Sequence, residues 1–228
     1  MATFVLIHGG GDAGWYWHLV EQELRQRGHD TLAPDLPCDD DSAGLAEYAD
    51  TVLNAIGGRR DLIVVAQSLG GFTAPLVAAQ VQVDMLVLVA AMVPAPGESP
   101  GDWPANTGFD AVMGQQAQRY AGQDLIYQDV PPALAAQARR NTRDQSDTPS
   151  HAPWPLDGWP AVPTRFVLCT EDRFFPPDFM RQVVADRLGI VPDEIAAGHA
   201  VALSRPKELA SLLASYASAG NPRGQHPG

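Results

Sequence analysis

Three residues far apart in the chain have types that cooperate in acyl transfer: Ser68, Asp172 and His199. Ser68 lies in "LIVVAQSLGGFTAPLVAAQ", between a β-branched apolar run and an alanine-rich segment. A serine on a sharp turn from strand to helix has its hydroxyl lifted clear of the sheet edge, where it can act as a nucleophile. Ala66 and Gly70, two before and two after, meet the demand for small residues where strand and helix nearly touch. Taken alone, the pattern also fits a serine that caps a helix N-terminus. Asp172 follows a predicted strand in "LCTEDRFFPP", and His199 stands in a small-residue loop in "AAGHAVALSRPKELASLL". A neutral imidazole takes a serine proton when a carboxylate holds its other nitrogen and stabilises the imidazolium that forms. The chain order of nucleophile, acid and base suits that assignment. Glu171, Asp178 and Asp186 compete for the acid role; the aromatic and proline residues after Asp172 favour it, because they can turn its loop toward His199. A glycine-rich turn, "LIHGGGDAGW", ends the first predicted strand. It can aim the backbone N–H of Gly10 at a developing oxyanion, with the N–H of Leu69 as second donor. The triplet does not read as a phosphate cradle, since no Lys-Ser/Thr follows and the GxGxxG spacing is absent.

Six short apolar runs must position these residues: "TFVLIH" from Thr3, "DTLAP" from Asp30, "DLIVVA" from Asp61, "VDMLVLVA" from Val83, "TRFVLCT" from Thr164 and "IVPDEIAA" from Ile190. Their hydrophobicity is nearly continuous, as in parallel strands covered on both faces. Helical patterns alternate with them over 15–27, 43–56, 69–80, 178–188 and 206–217. The fold class expected is therefore α/β, a doubly wound, mostly parallel six-stranded sheet. The interval 94–163 breaks the rhythm; its proline- and tryptophan-rich ends bracket one helix-like stretch over 109–143. A connection this long is usually functional, and it is read as a cap inserted after the fourth strand. The expected organisation is a core of 1–93 and 164–218, a cap over 94–163 and a disordered tail over 219–228.

With 228 residues and a formal charge of -12, one domain is expected and phosphate backbones or anionic membranes are repelled. No nucleic-acid or membrane partner is expected, only a small-molecule substrate, with the protein a monomer or a homodimer. The run Asp39, Asp40, Asp41 reads as a solvated loop rather than a metal site. Cys38 and Cys169 have no metal-ligand spacing and suit free thiols in a reducing compartment. Met1 leads almost directly into an apolar run with no basic flank, and a cytoplasmic location is expected.

The blocks "FVLIHGGGDAGWYW", "GHDTLAPDLP", "VVAQSLGG", "AAMVPAPGES", "EDRFFPPDF" and "GHAVALSRPKELA" occur in an order that resembles the α/β-hydrolase superfamily. Within it the chain is similar to the compact branch of plant methyl esterases, hydroxynitrile lyases and their bacterial relatives. The resemblance implies the α/β-hydrolase fold and reinforces Asp172 as the acid. Lyases of this branch carry threonine after the first-strand histidine and lysine after the catalytic histidine; here those positions are Gly9 and Ala200. Without an ammonium group there is little to stabilise a cyanide leaving group, so the esterase pattern fits better. His8 is read as structural, holding the oxyanion loop.

The expected function is that of a serine hydrolase acting on a small, largely apolar ester or lactone through an acyl-enzyme, with no cofactor and no metal. Two alternatives stand beside it: a carbon–carbon hydrolase or lyase, or cofactor-free perhydrolase, on the same triad, and a non-catalytic ligand-binding protein on this scaffold. Trp15, Met92, Trp103, Trp154 and Trp159 are candidates for the substrate pocket, though each also suits core packing.

Overall fold

A computed structural model describes residues 1–219; the expected disordered tail lies, from residue 220 onward, outside the described residues. The six predicted strands all form: β1 (Thr3–Ile7), β2 (Asp30–Leu32), β3 (Leu62–Ser68), β4 (Met85–Ala91), β5 (Thr164–Cys169) and β6 (Asp193–Ile195). They make one sheet in the order β2-β1-β3-β4-β5-β6, every pair parallel. The sheet is wholly parallel, where the sequence implied mostly parallel.

Alternate residues of the four central strands, β1, β3, β4 and β5, feed two cores. Val5, Ile7, Val64, Ala66, Leu86 and Leu88 join one cluster, and Phe4, Leu6, Ile63, Val65, Val87 and Val89 the other. This two-sided burial is why the strands read as unbroken apolar runs. The first cluster takes in α2 (Leu45–Ile56), α3 (Gly70–Ala78) and α8 (Pro177–Leu188); the second takes in α1 (His18–Gln26), α9 (Val201–Ser204) and α10 (Pro206–Ala219). The interval 94–163 carries α4 (Trp103–Thr107), α5 (Phe109–Arg119), α6 (Pro132–Asn141) and α7 (Thr148–His151). The helix-like middle expected over 109–143 comprises two helices, α5 and α6, separated by a loop that contributes Ile126 and Tyr127 to the site. Among the described residues no helix is long and apolar enough to cross a membrane.

Close packing around α3 fixes the geometry of the turn. A Cβ on Gly70 would lie 2.8 Å from the carbonyl oxygen of His8, and one on Gly71 would lie 1.9 Å from that of Met92. Both contacts are with backbone, which cannot swing aside as a side chain would. Gly114 in α5, by contrast, has open space around it. Gly71→Ala is expected to cost about 3 kcal/mol or more through overpacking, whereas Gly114→Ala should gain about 0.5–1 kcal/mol from helix propensity. Urea denaturation of the two variants checks the contrast; equal stabilities would contradict the packing.

Candidate active site

Ser68 ends β3 with φ of 50°, in the left-handed region that non-glycine residues seldom adopt. Such a residue stores on the order of 1 kcal/mol of strain and persists only where its surroundings over-determine it. Here they do. The β3–β4 register shifts at Gln67/Ser68, Ala90, which the shift leaves unpaired on β4, also has a positive φ of 43°, and the Met92 N–H donates to the Ser68 carbonyl at 2.9 Å. Leu69 then turns directly into α3.

Beyond β5, Asp172 is buried and its carboxylate is saturated. Oδ1 accepts the backbone N–H groups of Phe174 and Phe175 at 2.8 and 2.9 Å, and Oδ2 lies 2.8 Å from His199 Nδ1. Glu171 is exposed. The two backbone donors fix the carboxylate in one orientation, so the imidazole Nδ1–H points at it and Nε2 is left to accept. Phe174 and Phe175 enclose the ring, with centroids 4.9 and 5.1 Å away.

His199 Nε2 does not meet Ser68; no hydrogen bond joins the two side chains in this structure. The buried amide of Gln67 occupies that nitrogen instead, with its Nε2 at 3.0 Å. The amide oxygen packs against Gly9, where a Cβ would stand 2.5 Å from it and 3.0 Å from Ser68 Cβ. Glycine at position 9 therefore makes room for Gln67 and the serine together.

The first glycine turn is held from below and above. His8 is fully buried, donates from Nδ1 to the Gly9 carbonyl at 2.7 Å and accepts the Leu36 N–H at Nε2 at 3.0 Å, a neutral ring whose pKa burial lowers. This agrees with its expected structural role. On the other side, Gln145 accepts the Gly11 N–H at 2.9 Å and the Arg143 N–H donates to the Gly11 carbonyl at 2.8 Å. A Cβ on Gly10 would sit 3.2 Å from Leu69 Cδ2, so the Leu69 side chain packs against the glycine turn.

Ser68, His199, Gly10 and Leu69 all line one cavity of about 450 Å³. Its walls are mainly apolar, and much of them comes from the 94–163 interval through Trp103, Phe109, Ile126 and Tyr127. Of the pocket residues expected from sequence, Met92 and Trp103 line it. Trp15, Trp154 and Trp159 do not, for reasons visible in their contacts. Trp15 stacks on His18 at 4.3 Å; Trp154 is buried and donates to the Phe72 carbonyl at 3.1 Å; Trp159 donates to Thr164 Oγ1 at 2.8 Å. Sequence reasoning missed Gln67, Asp12, Tyr16, Tyr127, Phe174 and Phe175, all of which line the cavity. The "RFFPP" doublet after Asp172 was the one signal that pointed to any of them. Among the described residues no cluster of three or more histidine, cysteine or acidic side chains has metal-ligating proximity. Asp39 pairs with Arg143 and Asp40 accepts from Ser42, as a solvated acidic loop would.

A family model described as "Alpha/beta hydrolase family" matches residues 4–212, and the chain belongs to that family. It is similar to norfluorocurarine synthase 1 of a Strychnos species, 23% identical with 94% of each chain covered. It is also similar to methylesterase 3 of Arabidopsis thaliana, 22% identical with 94% of this chain and 95% of the relative covered. Among solved structures, polyneuridine aldehyde esterase superposes with a TM-score of 0.79 at 21% identity, over 95% of this chain and 99% of that one.

Asp12, two residues past Gly10, has its carboxyl pKa raised to about 6 by burial, offset in part by the Ala13 N–H. Because the folded value lies above the unfolded one of 3.8, its stabilising contribution is present in acid and is lost as pH rises through about 6. Asp12→Asn cannot ionise. Between pH 4 and 7.5 the wild type should therefore lose about 2–3 kcal/mol of stability relative to this variant. Urea titrations at both pH values check this; parallel pH dependence of the two proteins would contradict the burial argument.

Proposed function

We propose that this protein is a serine hydrolase that cleaves small, largely apolar carboxylic esters or lactones through an acyl-enzyme. The observation that carries the reading is the buried His199–Asp172 pair at 2.8 Å, with Asp172 locked by two backbone N–H groups, facing the cavity into which Ser68 projects from its strained turn. In this reading Ser68 is the nucleophile, His199 the base, Asp172 the orienting acid, and the backbone of Gly10 and Leu69 the oxyanion hole.

An ester entering the cavity sets its carbonyl carbon above Ser68 Oγ and its oxygen toward the two backbone N–H groups. The Gln67 amide leaves His199 Nε2, which then takes the serine proton as Oγ bonds to carbon. The tetrahedral oxyanion is stabilised by these two backbone N–H groups. On collapse, His199 Nε2–H protonates the departing alcohol. Water, deprotonated by the same nitrogen, then attacks the acyl carbon and Ser68 Oγ regains its proton. Residues 94–163 serve as a cap that gives the acyl or alcohol part its apolar surroundings, with Met92 and Trp103 in its walls.

Names among the relatives, an esterase and a methylesterase, support ester chemistry. Two positions weigh against a lyase. Threonine at position 9 would meet Gln67 and Ser68 Cβ, and Ala200, 1% exposed in the cavity wall, supplies no cation for a cyanide leaving group. Cys38 and Cys169 are free and buried, which suits the cytoplasmic location proposed.

Ser68→Ala should lower kcat for p-nitrophenyl acetate by about 10⁴-fold or more with its melting temperature kept or raised. Asp172→Asn should approach that loss while Glu171→Gln stays near wild type. Steady-state assays with paired melting curves check the ranking; near-normal turnover by Ser68→Ala, or a greater loss in Glu171→Gln, would refute the roles assigned.

A further inference from the structure

One part of the cavity wall is polar and is not used by the reaction above. Asp12 lines the cavity, yet among the described residues its carboxyl accepts only the N–H of the next residue, Ala13, at 3.0 Å. That single bond fixes the turn into the short helix at Gly14–Trp17 and leaves the second carboxyl oxygen free. Among the described residues no arginine, lysine or histidine pairs with Asp12; the nearby cation Arg143 is engaged by Asp39 and the Leu36 carbonyl.

Two phenols face the same cavity. The Tyr16 hydroxyl is buried and makes no hydrogen bond of ordinary geometry. The Ala202 backbone lies close enough to act on it as a donor, which leaves its own proton unspent. Tyr127 comes from the loop between α5 and α6, and among the described residues its hydroxyl makes no hydrogen bond. Both phenols feel the Asp12 charge and are pushed up in pKa, Tyr127 to about 12, with burial the larger cause. Asp12, Tyr16 and Tyr127 come from two separate parts of the chain, and all three keep hydrogen-bonding capacity for something that enters. A half-buried carboxyl with an open acceptor gains from a donor, and a ligand that enters this largely apolar cavity can supply one in place of solvent.

We propose that this end of the cavity is a subsite for a hydrogen-bond-donating substituent of the ester, a hydroxyl or an ammonium group, with Asp12 as its acceptor and Tyr16 and Tyr127 beside it. The inference rests on the reading that an ester binds beside Ser68. It adds that the substrate is apolar along most of its length but polar at one point. A hydroxyl would donate to Asp12 and accept from a tyrosine; an ammonium would donate to Asp12 and to the phenol oxygens.

The test is calorimetric binding to Ser68→Ala protein, which holds the esters without consuming them. The probes are methyl 4-ethylbenzoate, methyl 4-(hydroxymethyl)benzoate and methyl 4-(aminomethyl)benzoate, with the three 3-substituted isomers, at pH 7.5. In at least one series a polar ester should bind about 10-fold more tightly than its ethyl counterpart, as a hydrogen bond to a buried carboxylate implies. That preference should vanish in Ser68→Ala/Asp12→Ala and weaken in Ser68→Ala/Tyr127→Phe. Preference for the aminomethyl ester identifies a cation site, and preference for the hydroxymethyl ester a neutral one. Equal or tighter binding of the ethyl ester in both series, no measurable binding of any of the six, or a preference that survives Asp12→Ala would overturn the subsite. Turnover by wild-type protein, assayed separately on p-nitrophenyl acetate, tells failure of the esterase reading apart from failure of this one.

Discussion

The structure depends on how closely α3 approaches the carboxyl ends of β1 and β4. With Gly70 against the His8 carbonyl and Gly71 against that of Met92, the helix has only one path out of β3. The chain reaches that path through a single residue with positive φ, Ser68. Its strain of about 1 kcal/mol is small beside the burial of β3 and α3, whose residues are almost all inaccessible, so the core sustains it easily. The consequence for function is geometric. The hydroxyl stands clear of the sheet, the following N–H opens a helix N-terminus, and both meet the glycine turn after β1.

The loops that carry the remaining groups are anchored by the 94–163 interval as well as by the sheet. Arg143 and Gln145 fasten the turn at Gly11. Gln128 donates to the Glu171 carbonyl at 2.5 Å, beside Asp172, and Asp129 accepts the Gly198 N–H at 2.8 Å, beside His199. Three loops at three strand ends are thus tied to one segment that also walls the cavity. Movement of that segment would shift the pocket shape and the placement of Asp172 and His199 together. Gln67 adds a further coupling, since its amide rests on the His199 nitrogen that accepts the serine proton in the proposed mechanism.

Much of this was legible in the sequence because it follows from local constraints. Continuous apolar runs marked all six strands, and small residues around Ser68 marked the turn. The aromatics after Asp172 favour it over Glu171 in the sequence; in the structure the Phe174 and Phe175 N–H groups hold its buried carboxylate, and Glu171 is exposed. What escaped depends on contacts across long separations. Nothing near Gln67 in sequence signals a partner 132 residues away, and Asp12 looks like any loop acid until its burial is known. The tryptophans misled for a related reason. Composition shows that Trp154 and Trp159 are large and apolar, but their N–H partners, Phe72 and Thr164, decide that they pack the body of the protein instead of lining the cavity.

The central claim is that Ser68 is the nucleophile, activated by a base across a cavity that brings them together only when Gln67 gives way. The most direct measurement is peptide mapping by mass spectrometry after reaction with a fluorophosphonate, followed alongside residual ester hydrolysis. The account predicts one phosphonyl adduct, on the peptide containing Ser68, accumulating in step with the loss of activity. Inactivation with the adduct on another residue, or full labelling of Ser68 with hydrolysis intact, would contradict it.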